Sequence, residues 1–403
     1  MPPSLGIYNG NNIIYRRIEN GIKHLRIINV SIPVPFIPFR SVPFRSVPFR
    51  SIMIRNFARM NSIPHYRVEV AEPTIDPKNT ATATESESMS PPAPPHHSIL
   101  TVIPVSSPTV YIHPHEEYQY LNLIHDIMQQ NEEYISRNGT TISVFGAGMV
   151  FSLEQGRIPI LTTKKMAWKT CLKELLWFIQ GKTDNRLLQQ VGVHIWDDNA
   201  SPDFLASRGL SHRAEGDLGP IYGHQWRHFN AKYETHETDY TGQGVDQLAE
   251  IIRCLKDPVE RFSRRLVMSA WNPCQLDEMA LPPCHILCQF NVDRNNRLSC
   301  ALYQRSGDVG LGVPFNIASY SFLTHLLAKH CGLVSHEFVY YLGNAHIYDD
   351  HIEALKPQLL RTPNAFPRAE ISVLRENIDD YTIDDFKVLN YQCFDTIPMK
   401  MRK

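Results

Sequence analysis

Residues 38–51 read PFRSVPFRSVPFRS, a five-residue repeat with a proline in every unit. Proline has no backbone donor and a fixed φ, so this stretch cannot run as a helix or a central strand. Residues 79–109 are rich in Ser, Thr, Pro and Ala, the composition of a disordered linker. Any packed core must be built from the residues beyond that linker. The expected organisation is a disordered, low-complexity basic extension over 1–110 and one globular domain over 111–403.

The extension is basic. Ten Lys or Arg precede residue 69 against the single acid Glu19, which leaves about −10 for the remainder of a chain of net charge −1. A run of Arg attracts polyanions, which makes RNA a secondary partner to consider. The Arg-rich, acid-poor stretch through SIMIRNFARM has the composition of a mitochondrial transit segment. A solvated tail, or a true start at Met60 or Met89, is the plainer alternative.

From about residue 116 helical and strand periods alternate. EEYQYLNLIHDIMQQN places Tyr120, Leu123, Ile124, Ile127 and Met128 on one helical face. MAWKTCLKELLWFIQG does the same with Leu172, Leu175, Leu176 and Ile179, and Gly181 can end that helix. GVDQLAEIIRCLKDP is a third helix, stopped at Asp257–Pro258. RLVMSAWN reads as a strand, and HILCQFNV and LSCALYQ around DRNN read as a hairpin. An apolar helix is expected over 315–331, a strand over 338–342 and another helix from His346. With 43% hydrophobic residues, no regular βαβ spacing and no GxGxxG, the fold class is a single α+β domain. No apolar run is long enough to cross a bilayer, so no membrane partner is expected.

All eight cysteines lie after residue 170, without CxxC pairs or zinc-ligand spacing. Disulfides and metal are not expected; reduced thiols fit a cytoplasmic setting, nuclear or mitochondrial if the extension directs it. One thiol stands apart. Cys284, in LPPCHILCQF, heads the outgoing hairpin strand. A turn near Arg294 and Asn295 puts the midpoint at 294.5, so Cys284 should face Arg305. A guanidinium beside a thiol favours the thiolate. Most buried cysteines are inert core residues; this pairing moves the reading to a nucleophile.

The blocks ALPPCHILCQF, YQRSGDVGLGVPFNIASYSFLTH, EGDLGPIYGHQWRHF, GVHIWDDN, SRRLVMSAWNP and LGNAHIYDDHIEALKPQL together resemble the folate-dependent thymidylate synthase family, in its eukaryotic form, over roughly 116–398. The resemblance implies a mixed β-sheet packed against helices, a sheet-mediated homodimer, and a catalytic domain over 111–403. It implies conversion of dUMP to dTMP with 5,10-methylenetetrahydrofolate as one-carbon and hydride donor, without metal or NAD(P). Cys284 matches the nucleophile that adds to uracil C6. Glu174, Tyr222 and His285 match the proton-transfer network, and Arg305 stands beside the thiolate. Arg137, Arg305 and Ser306 match phosphate ligands, with Arg264 and Arg265 reaching across from the other subunit. Asn316 matches the residue that reads the uracil edge, His346 and Tyr348 those on the ribose, and Gln304 joins the dUMP set. Trp196, Asn199, Leu311, Gly312 and Phe315 match the folate wall. Asp308 matches the carboxylate that bonds the pterin and also joins the dUMP set, and Lys164 is a candidate for the anionic glutamate tail.

Three features depart from the family pattern. SRNGTTISVFG replaces an RTGxGT-like loop and leaves Arg137 as the candidate fourth phosphate arginine; the end PMKMRK replaces a small apolar tail; and Asn344 stands where Asp is common. These keep open a weakened paralogue that binds nucleotide or RNA. Asn316 disfavours dCMP hydroxymethylation, where the matching position carries Asp. About 110 low-complexity residues are too few for a fused dihydrofolate reductase core.

Overall fold

In the computed structural model of the chain, the described residues are 115–136 and 138–402, together with the backbone of 6–9, 12–19 and 22–28. The repeat at 38–51, the linker, the transit-like stretch and Arg137 lie outside them. Within the first hundred residues, β1 (Gly6–Asn9), β2 (Asn12–Glu19) and β3 (Ile22–Ile28) form an antiparallel meander, where the sequence suggested no elements.

The larger unit is built on a six-stranded sheet ordered β4–β5–β9–β8–β7–β6. Its strands are β4 (Glu133–Ser136), β5 (Gly139–Ser152), β6 (Val267–Ser269), β7 (His285–Val292), β8 (Arg297–Asp308) and β9 (Val334–Tyr348). Every neighbouring pair is antiparallel except β8 and β9, so the sheet is mixed and the domain is α+β. A parallel pair needs a long crossover. Here it contains α5 (Gly312–His330), which packs on both strands. That helix is apolar on all sides because it is buried between the sheet and α2 (Trp168–Ile179). The other principal helices are α1 (Tyr118–Met128), α3 (Tyr222–His228), α4 (Gln247–Lys256) and α6 (Ile352–Leu359).

Helical periodicity located these elements well. Tyr120, Leu123, Ile124 and Ile127 are buried on α1, as are Leu172, Leu175, Leu176 and Ile179 on α2. Gly181 follows α2 with φ +69°, the left-handed conformation that ends a helix. Two expectations fail. β9 runs to Tyr348, so the residues from His346 are strand; a short 3₁₀ turn (Asp349–His351) precedes α6. The alternation of β9 continues through Ala345 and Ile347, both buried, where NAHIYDDH suggests a helix start. The fourteen-residue β5 was not anticipated, because its glycines weaken the strand signal.

The hairpin contains a compensating irregularity. From Leu287 to Val292 the pairs follow a turn centred on Asn295, with Leu287 opposite Tyr303. A bulge between His285 and Leu287 shifts the register by one, and His285 faces Gln304. Arg305 N–H then donates to the Cys284 carbonyl at 2.9 Å. The Cys284–Arg305 pairing is therefore present, although the turn is centred half a residue from where it was placed.

Candidate active site

The β7–β8 hairpin, the C-terminal end of β9 and the start of α5 meet at a cavity of about 900 Å³. Cys284, Tyr222, His285, Gln304, Arg305, Ser306, Asp308, Gly312, Asn316, His346, Tyr348 and Asn199 all line it. These come from positions more than 140 residues apart, and the sheet brings them together: in the parallel pair, Ser306 lies beside Asn344 and Asp308 beside His346.

Cys284 is half-buried, and its backbone N–H donates to the Tyr222 hydroxyl at 2.7 Å. The Tyr222 ring stacks on His285 with centroids 4.0 Å apart, and His285 Nδ1 is 2.8 Å from the Tyr320 hydroxyl. Burial pushes the His285 imidazole down to about 3, so it is neutral at physiological pH, and burial drives the Tyr222 hydroxyl well above its usual range. The Arg305 side chain is anchored on the two residues that lead into Cys284. Its Nε donates to the Pro283 carbonyl (2.8 Å), one terminal nitrogen donates to Pro282 (3.0 Å), and its guanidinium lies over the Trp271 ring. The prolines around Cys284 thus supply the acceptors that hold Arg305. Gln304 is engaged at both ends of its amide, accepting from Tyr340 Oη (2.6 Å) and donating to the Ser306 carbonyl (2.8 Å). At Gly307 a Cβ would lie 2.8 Å from methyl groups of both Leu342 and Val313, so a larger residue would require these side chains to shift.

Behind this lining, Glu174 is buried on α2, and Trp196 Nε1 donates to its Oε1 at 2.8 Å. Burial raises its carboxyl to about 7, with the Trp196 hydrogen bond opposing the rise. Trp196 is itself buried, so it orients Glu174 rather than joining the lining. Leu311 and Phe315 likewise stand outside the lining. Asn316 is five residues into α5, so it is no helix cap, and its amide has no hydrogen-bond partner among the described residues. Asp308 holds the entry to that helix, accepting from Gly310 N–H (2.8 Å) and Leu311 N–H (3.4 Å). His346 Nδ1 is 3.0 Å from Asn344 Oδ1.

Lys164 is a correction. It is buried, not set at the surface for an anionic tail. Glu117 accepts from the backbone N–H and hydroxyl of both Thr162 and Thr163, which turns the next residue inward. Lys164 Nζ then donates to the Gly310 carbonyl at 2.5 Å, and burial lowers its ammonium to about 8. Arg264 and Arg265 are exposed and outside the cavity of their own chain.

The lining also includes residues that the sequence did not suggest: Tyr134, Thr141, Ser143 and Phe145 from the first two strands of the sheet, Asn138 just before the second of them, Leu281 and Pro282 ahead of Cys284, and Arg208. The two odd positions, Asn344 and Arg402, line it as well. Arg402 is held by Asp349 (3.1 Å) and Asp350 (2.9 Å) and lies over the Tyr348 ring. For Arg208 a signal was available, since no acid lies within four residues of it on either side.

A thiol with fixed neighbours, a buried carboxyl near 7 and a roomy cavity with polar side chains on its wall suit covalent addition coupled to proton transfer. The comparisons with known proteins agree with that chemistry. Residues 118–403 match the family model described as thymidylate synthase. The chain is 53% identical over 289 residues to the thymidylate synthase of Human herpesvirus 8 type P (isolate GK18), covering 72% of this chain and 85% of the viral one. It is 54% identical to that of Equine herpesvirus 2 (strain 86/87), over 71% of this chain and 98% of the relative. It is also 51% identical to the bifunctional dihydrofolate reductase-thymidylate synthase of Zea mays, over 71% of this chain and 54% of that protein. The chain belongs to the thymidylate synthase family.

Proposed function

We infer that the chain catalyses the reductive methylation of dUMP to dTMP, with 5,10-methylenetetrahydrofolate as co-substrate and dihydrofolate as second product. The observation that carries this reading is Cys284 at the cavity wall, its backbone fixed by Tyr222 on one side and Arg305 on the other. Cys284 Sγ adds to uracil C6, and the displaced electron pair makes C5 an enolate-like nucleophile. The co-substrate supplies the methylene carbon and the hydride. Asn316 accepts from N3–H and donates to O4 of the base. Ser306 and the remaining Nη1 of Arg305 take the phosphate, and His346 with Tyr348 takes the ribose hydroxyl. Glu174, poised near 7, exchanges protons with Tyr222 and bound water as C5 loses its hydrogen. Asn199 fits the folate side, because its buried Nδ2 has no acceptor among the described residues.

The reading extends to a homodimer with shared sites. Leu287, Tyr303 and Tyr341 stand in register as an exposed row on the sheet, while their strand neighbours Cys288, Leu302 and Tyr340 are buried. Such an apolar face suits a second copy, and Arg264 and Arg265 are free to reach the partner's phosphate site.

The test is purified protein with dUMP and methylenetetrahydrofolate, following dihydrofolate by absorbance beside a Cys284→Ala control. Production by the parent alone is expected. No production by a parent that binds dUMP would overturn the function, and a monomer in sedimentation would overturn the shared site.

A further inference from the structure

Among the described residues the cavity lining is cationic: Arg208, Arg305 and Arg402 stand against the single carboxylate of Asp308. Two of these cations are already engaged. Arg305 is held by the prolines and Arg402 by its aspartate pair. Arg208 is different. It ends the short helix Pro202–Ser207, where its backbone N–H donates to Phe204 and Leu205. Its side chain makes no hydrogen bond or ion pair among the described residues, and its Nε is shielded from solvent without an acceptor. Asn199 Nδ2, nine residues earlier and on the same lining, is in the same condition. A shielded donor without an acceptor is costly, more so if charged, so a pair on one cavity wall calls for a ligand that supplies oxygen acceptors.

We propose that Arg208 determines specificity for the co-substrate by receiving a carboxylate of its glutamate moiety, with Asn199 donating to a neighbouring oxygen. This rests on the function inferred above. Two anionic groups enter the cavity in that reaction, a phosphate and a glutamate. The phosphate has Arg305, Ser306 and the exposed arginine pair. The glutamate has lost Lys164, which is turned inward onto Gly310. Among the described residues Arg208 is the lining cation left for it, and a guanidinium grips a carboxylate at fixed geometry.

The experiment is calorimetric titration of the full chain, in saturating dUMP, with tetrahydrofolate and with tetrahydropteroate, which has no glutamate. Arg208→Leu should weaken tetrahydrofolate roughly 10- to 100-fold, the range of a lost charged hydrogen bond. Tetrahydropteroate and dUMP should bind both proteins alike, and the loss should appear in KM for methylenetetrahydrofolate with kcat nearly unchanged. Arg208→Gln serves if the leucine variant does not fold. Equal tetrahydrofolate affinity in parent and variant would overturn the proposal, as would weakened dUMP binding or an equal loss for both pterins. A parent that bound neither dUMP nor tetrahydrofolate would overturn the inferred function with it.

Discussion

The two sides of the cavity satisfy their polar groups differently. On the hairpin side, the Cys284 backbone, Arg305 and Gln304 each have protein partners within about 3 Å. On the side formed by Asn199 and Arg208, the shielded Nδ2 and Nε are donors without acceptors among the described residues. The difference teaches a division of labour. Groups near the bond-making atoms are preorganised by the fold, so little rearrangement accompanies reaction. Groups that read the ligands are left for the ligands to complete, which makes them sensitive to a wrong partner.

That contrast can be broken most severely at the thiol. Cys284→Ala should lower turnover by at least about 10³-fold, since the covalent step has no substitute. It should leave dUMP affinity nearly intact, because the reading groups are untouched; loss of nucleotide binding in a folded variant would erase the division. Tyr222→Phe comes next. It removes the acceptor for Cys284 N–H and a proton-transfer group, so kcat should fall about 10²-fold, and stability by about 1–3 kcal/mol through the orphaned amide. Stopped-flow turnover and chemical denaturation measure the two parts separately.

Glu174→Gln should lower kcat by a similar factor of about 10² and yet stabilise the protein at alkaline pH. The raised native pKa of about 7 means that the folded chain holds more protons than the unfolded one between roughly pH 4 and pH 7. Stability therefore falls as pH rises through that window, and the cost of the buried ionised form is fully present above it. Glutamine still accepts from Trp196 and cannot ionise, so above pH 8 its advantage should approach about 3 kcal/mol and vanish near pH 4. Melting temperature against pH reads this directly; parallel curves for parent and variant would refute it. The smallest effect belongs to Arg402→Ala. Its ion pairs are partly exposed, worth at most about 1 kcal/mol, so the melting temperature should hardly move. Turnover should fall only severalfold at low ionic strength, with the gap closing in high salt.

Local patterns were legible where one element carried the information. The helix faces, the stop at Gly181 and the hairpin could be read because each depends on spacing within a short stretch. The Cys284–Arg305 pairing was read correctly for an incomplete reason: the turn is centred later than placed, and the bulge at Ile286 restores the difference. Where distant segments decide a position, the sequence misled. Lys164 looks like a surface lysine until Glu117, 47 residues earlier, is seen to turn its neighbours. β5 and its contribution to the cavity were hidden by glycines, and Arg208 carries no motif at all.

The bulge at Ile286 has a consequence for how the gene can vary. The hairpin tip lies nine residues or more from Cys284, roughly 30 Å along an extended strand, and Arg294 and Asn295 there are exposed. Replacing either side chain changes nothing that the site depends on. Adding or removing one residue would slide the whole return strand, turning Tyr303 inward and Gln304 outward and parting Arg305 from Cys284. The tip is thus a segment whose spelling is free and whose length is not, and a library of tip variants should separate into tolerated substitutions and lethal single-codon insertions or deletions.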